Sequence, residues 1–158
     1  DISKDNTCII IADQLTDPQN LGQILRTSEC AGVDGIILPQ HNSIHLTDTV
    51  LQVSQGASIH LNVCIETNLK SSIDYLKSNG FWITGLENSI DAKQWYEINY
   101  NGKIGIVIGS EGKGIRKLIK ESCDFLATID MNGEINSLNV TAATSAILFE
   151  RQRQINSN

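Results

Sequence analysis

The stretch 104-IGIVIGSEGKGI-115 decides how the rest of this chain is read. Its first half is apolar and largely β-branched without alternation, the pattern of a strand buried on both faces of a parallel sheet. Its second half changes abruptly to glycines, a glutamate and a lysine. An apolar strand entering such a loop suggests phosphate binding, yet the spacing is wrong. A Walker-type loop has glycine five residues before its Gly-Lys pair and Ser or Thr after it. Here Val107 stands five residues before Gly112, and Gly114 follows Lys113. A dinucleotide fingerprint fails too, because Lys117 stands where the glycine after Gly112-x-Gly114 belongs. The loop therefore binds something other than a chain of phosphates.

Similar β-branched runs recur on both sides of this strand: 7-TCIIIA-12, 34-DGIIL-38, 61-LNVCIE-66, 81-FWITGL-86 and 124-DFLATI-129. Helix-length segments separate them, at about 20–31, 47–56, 68–78, 114–121 and 138–153. This alternation predicts an α/β domain with a mainly parallel sheet. Neither a linker nor an internal repeat divides residues 1–158, so one domain is expected. Ligands of such sheets bind beyond the carboxyl ends of the strands. The segments of interest are therefore 13–26, 86–97, 109–115 and 130–141.

Composition narrows the class. A chain of 158 residues, 41% of them hydrophobic, can bury a sizeable core. No apolar run approaches the roughly 18 residues of a membrane span, and no signal peptide opens the chain. Cys8, Cys30, Cys64 and Cys123 form no C-x-x-C pair and read as buried free thiols in a reducing cytoplasm. Asn139-Val140-Thr141 matches a glycosylation sequon by coincidence. His41 and His45 could share a helix face, but a third ligand is lacking and His60 is placed at the start of a strand, so no metal site is expected. Trp82 and Trp95 read as core or dimer contacts rather than base-stacking platforms.

The net charge of −6 argues against simple nonspecific binding to nucleic acid, but the charge is uneven. Residues 1–99 hold 5 basic and 12 acidic residues, whereas residues 100–158 hold 7 and 6. Lys113, Arg116, Lys117 and Lys120 cluster just after the glycine loop, as a solvated helix face or an RNA contact would.

Chemistry concentrates in three segments. In 13-DQLTDPQNLGQILR-26, Pro18 and Gly22 bracket Asn20 at a helix start, with Arg26 further along. Buried there, an arginine needs an anion: either a ligand or an ion pair to Asp13 or Asp17. The second segment is the glycine loop with Glu111. In the third, 131-MNGEINSLNVTAATSAILFERQR-153, Ser137 and Asn139 flank Leu138 at the start of the last helix, where either residue could serve as an N-cap.

Taken together, these segments resemble the motifs of the SpoU (TrmH-like) branch of the SPOUT RNA methyltransferases. The N-x5-R element runs from Asn20 to Arg26, G-x-E-G-x-G from Gly109 to Gly114, and S-L-N-V from Ser137 to Val140. The middle segment 43-SIHLTDTVLQVSQGA-57 is also similar to the family's, and the ending FERQRQ is similar to its bacterial 23S ribosomal-RNA guanosine branch. The chain departs from the family pattern at Asp130, where Pro is usual, and at Thr141, where Ser is usual.

The resemblance implies methyl transfer from S-adenosylmethionine to the 2′-oxygen of an RNA ribose, in ribosomal RNA rather than transfer RNA. It also implies an α/β fold whose C-terminal part threads into a trefoil knot, working as a homodimer in the cytoplasm, with neither metal nor membrane. Gly109, Ile129 and Leu138 are expected to contact the cofactor, largely through main-chain atoms. Arg26 is the expected main catalytic residue, with Asn20, Glu111, Ser137 and Asn139 as its catalytic companions. The alternatives are a transfer-RNA ribose methyltransferase and a knotted RNA-binding scaffold without activity. The chain opens at Asp1 rather than Met, and Asp1 to Thr7 reads as a polar linker. In the resembling branch a small RNA-binding domain precedes the catalytic one, so an upstream domain of about 80–100 residues is expected.

Overall fold

The computed structural model describes residues 2–157. Seven strands form one sheet in the order β3-β2-β1-β6-β4-β7-β5, and every pairing is parallel. They are β1 (Cys8–Asp13), β2 (Gly35–Pro39), β3 (Asn62–Glu66), β4 (Trp82–Leu86), β5 (Lys93–Gln94), β6 (Ile104–Gly109) and β7 (Phe125–Thr128). The helices are α1 (Pro18–Cys30), α2 (Asp48–Val53), α3 (Ala57–His60), α4 (Leu69–Ser78), α5 (Lys117–Lys120) and α6 (Val140–Asn156). The expected α/β architecture is therefore present, and the threading implied by the resemblance is consistent with this order.

The central strands follow from their composition. β6 is buried along its whole length between β1 and β4. Two apolar clusters lie on opposite faces of the sheet. One contains Ile10, Leu21, Ile24, Leu25, Ile106 and Ile147, so it includes residues of α1 and α6. The other contains Ile11, Ile73, Leu76, Ile83, Val107 and Ile119, and so involves α4 and α5. Alternate residues of β1 and β6 enter opposite clusters, as strand pleating requires. β3 departs from the doubly buried expectation: it is an edge strand, with Cys64 and Ile65 exposed.

Local chemistry sets the helix ends. Asp17 caps α1 by accepting a hydrogen bond from the Gln19 backbone N–H at 2.8 Å, and Pro18 occupies the first turn with its φ already suited to a helix. Gly22 permits a close crossing, since a Cβ there would overlap the Val53 side chain. The expected helix over 47–56 is shorter, ending at Val53 before Gln55 and Gly56 take positive φ (55° and 82°), and a further short helix, α3, follows them. The expected helix over 114–121 contracts to α5, because Gly114 is left-handed (φ 67°) and the chain enters the helix only at Lys117. β5 was not anticipated; two residues are too few to show a period.

Other expectations need correcting. His41 and His45 lie in the loop after β2 rather than on a helix, and His60 ends α3 rather than opening a strand. Among the described residues no cluster of three or more His, Cys, Asp or Glu side chains could hold a metal, and no helix is long and apolar enough to cross a membrane. Trp95 packs against the core, while Trp82 is more than half exposed, with its ring tilted against Phe125 at a centroid distance of 5.7 Å, leaving it free for the expected dimer contact. The opening segment is docked rather than free from residue 2 onward: Ile2 packs on the second cluster, Lys4 pairs with Asp34, and Asn6 accepts from the Gly102 N–H. Asp1 lies outside the described residues.

The thiols are not uniformly buried. Cys8 is fully enclosed, Cys123 is half-buried, and Cys30 and Cys64 are exposed. Burial pushes the Cys8 and Cys123 thiols up to about 12. Cys64 is raised chiefly by donating a hydrogen bond to Glu66 at 3.1 Å. Thiolate is the reactive form, so brief alkylation of the native protein near pH 8 should label Cys30 first and Cys64 more slowly. Cys123 and Cys8 should react only after denaturation. Peptide mapping by mass spectrometry checks the order, and early labelling of Cys8 would contradict this packing.

Candidate active site

The last rung shared by β1 and β6 pairs Asp13 with Gly109, so the strand-end carboxylate and the glycine loop begin side by side. Beyond Gly109 the chain folds back on itself. The Gly114 N–H donates to the Ser110 carbonyl at 2.9 Å, and the two residues form an antiparallel bridge. Gly112 and Gly114 turn through φ of 80° and 67°, conformations that cost a residue with a Cβ. Gly109 has a different reason to be glycine: a Cβ there would overlap the Gly114 carbonyl and the Ile115 nitrogen. The space that the sequence assigned to a closely approaching ligand is, at Gly109, filled by the loop's own return strand.

Two carboxylates hold that loop. Asp13, with no exposed side-chain surface, accepts from the Arg116 backbone N–H and from its Nε, both at 2.8 Å, and Arg116 Nη2 lies 2.7 Å from the same carboxylate. Glu87, just after β4, accepts from the Ile115 N–H at 3.3 Å, and its carboxylate occupies the space a Gly114 side chain would need. Neither Asp13 nor Glu87 was singled out from the sequence for this task, and Arg116 was noticed only as one of a run of cations. Pairing across 103 positions leaves no local pattern to find.

The loop forms one wall of a cleft of about 580 Å³ at the carboxyl ends of β4, β6 and β7, a size suited to a small-molecule ligand. Gly109, Ile129 and Leu138 all line it, as do Glu111, Ser137 and Asn139. Glu87 and Asn88 add polar groups, while Leu86, Met131 and Ala143 add apolar surface. Asp130 is exposed and is not part of the lining, which takes Ile129 and Met131 on either side of it. A second groove, of about 480 Å³ between β2, β3 and α4, is lined by none of the candidate residues.

At the cleft a polar cluster joins all three sequence segments. Asn139 Nδ2 donates to Glu111 Oε1 at 2.5 Å and to Asn20 Oδ1 at 3.2 Å. Thr141 Oγ1 donates to the same Asn20 oxygen at 3.3 Å. The Asn139 Oδ1 meanwhile accepts from the Thr141 N–H at 2.8 Å and caps α6. The capping and site readings of Asn139 are thus both realised, one at each end of a single amide; Ser137 is exposed and does not cap the helix.

Arg26 is placed differently. It is exposed, does not line the cleft, and among the described residues pairs with neither Asp13 nor Asp17. Asp13 is taken by Arg116, and Asp17 by the α1 cap. Six residues along a helix turn through about 600°, so Arg26 faces roughly 120° away from Asn20.

A parallel αβα domain with its cleft between two glycine- and asparagine-bearing loops at the carboxyl ends of its strands has the architecture of a ligand-binding α/β domain. Comparison with known proteins makes it specific: residues 7–149 match the SpoU rRNA Methylase family, and the chain belongs to that family. A protein of Staphylococcus saprophyticus, provisionally named a TrmH family tRNA/rRNA methyltransferase, is 47% identical over 150 residues, covering 94% of this chain and 59% of the relative. Its Staphylococcus epidermidis counterpart is 46% identical over 146 residues, covering 92% and 58%. The chain thus spans a little under three-fifths of the length of these relatives. Among solved structures, the SpoU methyltransferase AviRb from Streptomyces viridochromogenes, in complex with AdoMet, superposes with a TM-score of 0.91 at 23% identity, over 98% of this chain and 63% of that one. The A. aeolicus TrmH/SpoU tRNA modifying enzyme gives 0.87 at 26% identity, over 98% and 78%.

The packing of the loop makes a clean comparison possible. Gly109→Ala forces a methyl into backbone and should destabilise by about 1–3 kcal/mol, the usual range for overpacking. Gly133→Ala, at a position with open space and no positive φ, should stay within about 0.5 kcal/mol of the parent. Denaturant titration of the two variants measures the difference, and equal stabilities would show that the loop does not close on Gly109.

Proposed function

We propose that this chain is the catalytic domain of an S-adenosylmethionine-dependent RNA ribose 2′-O-methyltransferase acting on a guanosine of large-subunit ribosomal RNA. The observation that carries the reading is the cluster in which Asn139 joins Asn20 and Glu111 beside a cleft lined by Gly109, Ile129 and Leu138. The lining fits the cofactor: Leu86, Met131 and Leu138 suit the purine and the methylene groups of the methionine arm, while Glu87 and Glu111 are anions that suit the cationic sulfonium. S-adenosylmethionine supplies an electrophilic methyl group when bound. Gly109, Ile129 and Leu138 would hold it, mainly through their backbone groups.

The chain's own task is to activate a ribose hydroxyl, a weak nucleophile near neutral pH. Charge develops on that oxygen as its proton leaves, and a guanidinium aimed there stabilises it. Arg26 takes this role as an electrostatic stabiliser rather than a base, because arginine keeps its proton in proteins. Asn20 positions the arginine or the ribose phosphate, Glu111 fixes the Asn139 amide, and Ser137 and Asn139 hold the substrate.

Since Arg26 is exposed and outside its own chain's cleft, the same reading calls for a homodimer in which Arg26 of one protomer serves the other's cleft. Ala142 and Phe149 on α6 remain exposed and supply apolar surface for that contact, whereas Ile147 belongs to the core. A cytoplasmic location and an upstream RNA-binding domain complete the proposal; the greater length of the relatives supports the latter. Transfer RNA is the second substrate reading, favoured by the A. aeolicus neighbour, a tRNA modifying enzyme.

The test is methyl transfer from radiolabelled S-adenosylmethionine to ribosomal and transfer RNA, with nuclease mapping of the product. A 2′-O-methylguanosine in large-subunit RNA is expected; cofactor binding without transfer to either RNA would favour an inactive scaffold. Arg26→Ala should lower turnover by about 10²-fold or more, as loss of one oxyanion donor does, with little change in cofactor affinity. Full activity in that variant would remove Arg26 from the mechanism. Mixing Arg26→Ala with an Asn139→Ala variant should restore part of the activity if the site is shared between protomers.

A further inference from the structure

Residues 113–120 carry four cations and no acid. Removing their charge of +4 from the total of −6 leaves −10 on the remainder of the chain, with 8 basic against 18 acidic residues. This cationic segment, flanked by Glu111 and Glu121, adjoins the cleft: Lys113 sits in the glycine loop and lines it. From this distribution we infer that Lys113, Lys117 and Lys120 form the track on which the phosphodiester backbone of the RNA substrate docks beside the cleft. The inference rests on the RNA methyltransferase reading and assigns the docking surface within it.

The fold anchors this segment and, among the described residues, leaves Lys113 and Lys120 without an ion-pair partner. Arg116 is committed to the buried Asp13 through its backbone N–H, Nε and Nη2, which anchors the segment at the end of β1. Around that anchor Lys113 is exposed, and among the described residues neither Lys113 nor Lys120 forms an ion pair. The Lys117 side chain is 86% exposed, and its nearest acid, Glu121, stands 3.8 Å away. An exposed pair of that kind contributes little. Lys117 and Lys120 are three apart and therefore neighbours on the surface. Like charges held together repel, so the grouping costs stability unless an anion meets it.

The negative remainder is part of the same device. An RNA strand is repelled by most of the surface and attracted at one place, which orients its approach toward the cleft as well as binding it. A folded acidic protein could also meet three cations, but the continuity of Lys113 with the cleft favours a phosphodiester chain whose ribose must reach that cleft.

Phosphate contacts are counted by salt dependence. Each contact to a single strand contributes about 0.7 to the slope of log affinity against log salt. Binding of a short, labelled single-stranded RNA should be followed by anisotropy across a salt series. The proteins are the parent, K117Q/K120Q, and K4Q/K103Q, which loses the same charge near the amino ends of β1 and β6. The slope should fall by about 1.4 in K117Q/K120Q, for two lost contacts, and stay at the parent value in K4Q/K103Q. Equal slopes in all three proteins, equal losses in the two variants, or no RNA binding by the parent would each overturn the inference. Calorimetry with S-adenosylmethionine reads the other premise separately. A parent that binds no cofactor sinks the methyltransferase reading, while the slope comparison still decides the track.

Discussion

The buried carboxylate of Asp13 is the constraint on which the site depends. It ends β1, pairs in register with Gly109 at the end of β6, and receives three polar contacts from Arg116 on the far side of the glycine loop. A carboxylate with no exposed surface must be met by donors, because leaving it charged and unpaired in the interior is expensive. Removing a partner from a fully buried pair costs about 3–5 kcal/mol, and less here because about half of the Arg116 side chain remains in solvent. The loop cannot move outward without abandoning that carboxylate. One electrostatic requirement thereby fixes the cleft wall, the position of Lys113 and the start of α5.

The question raised by 110-SEGKGI-115 has two answers, one for each kind of glycine. Gly112 and Gly114 lie in left-handed conformations that turn the chain, and Gly109 is the spot where the returned chain lands. A phosphate cradle points successive N–H groups outward at an anion. Here the Gly114, Ile115 and Arg116 N–H groups are already occupied by Ser110, Glu87 and Asp13 respectively. The loop uses its donors to hold its own shape, and what it offers a ligand is a rigid wall with a carboxylate, Glu111, at the rim.

Most of the layered architecture was legible in the sequence because burial on both faces leaves a strong mark: β1, β2, β4, β6 and β7 each fall within two residues of where their apolar runs place them. What was illegible depended on distance. Asp13 and Arg116 lie 103 positions apart, so no local pattern pairs them, and the sequence leaves Arg26 between a ligand and an ion pair to Asp13 or Asp17. The Gln55–Gly56 break was hidden because Gln55 is an ordinary helix former that happens to sit at φ 55°. For the site, motif spacing indicated the segments that meet: Asn20, Glu111 and Asn139 lie on α1, the loop after β6 and the cap of α6, and touch. The same spacing, read as helical rotation, turns Arg26 about 120° away from Asn20 and so away from that cluster.

The same distinction between packing and chemistry applies to the C-terminal signature that prompted the choice of ribosomal RNA. Within 149-FERQRQ-154, Glu150 and Arg151 are buried, and the Glu150 carboxylate accepts from Arg153 and Gln154. Gln154 in turn accepts from the Tyr100 N–H and donates to the Ile98 carbonyl, tying α6 to the segment that precedes β6. These side chains close the domain at the amino ends of its strands, while the cleft lies at the carboxyl ends. None of these residues lines the cleft; Glu150 and Gln154 are engaged in tying the domain together. The cations that lie beside the cleft are instead concentrated in the eight residues after Gly112, where Lys113 lines it.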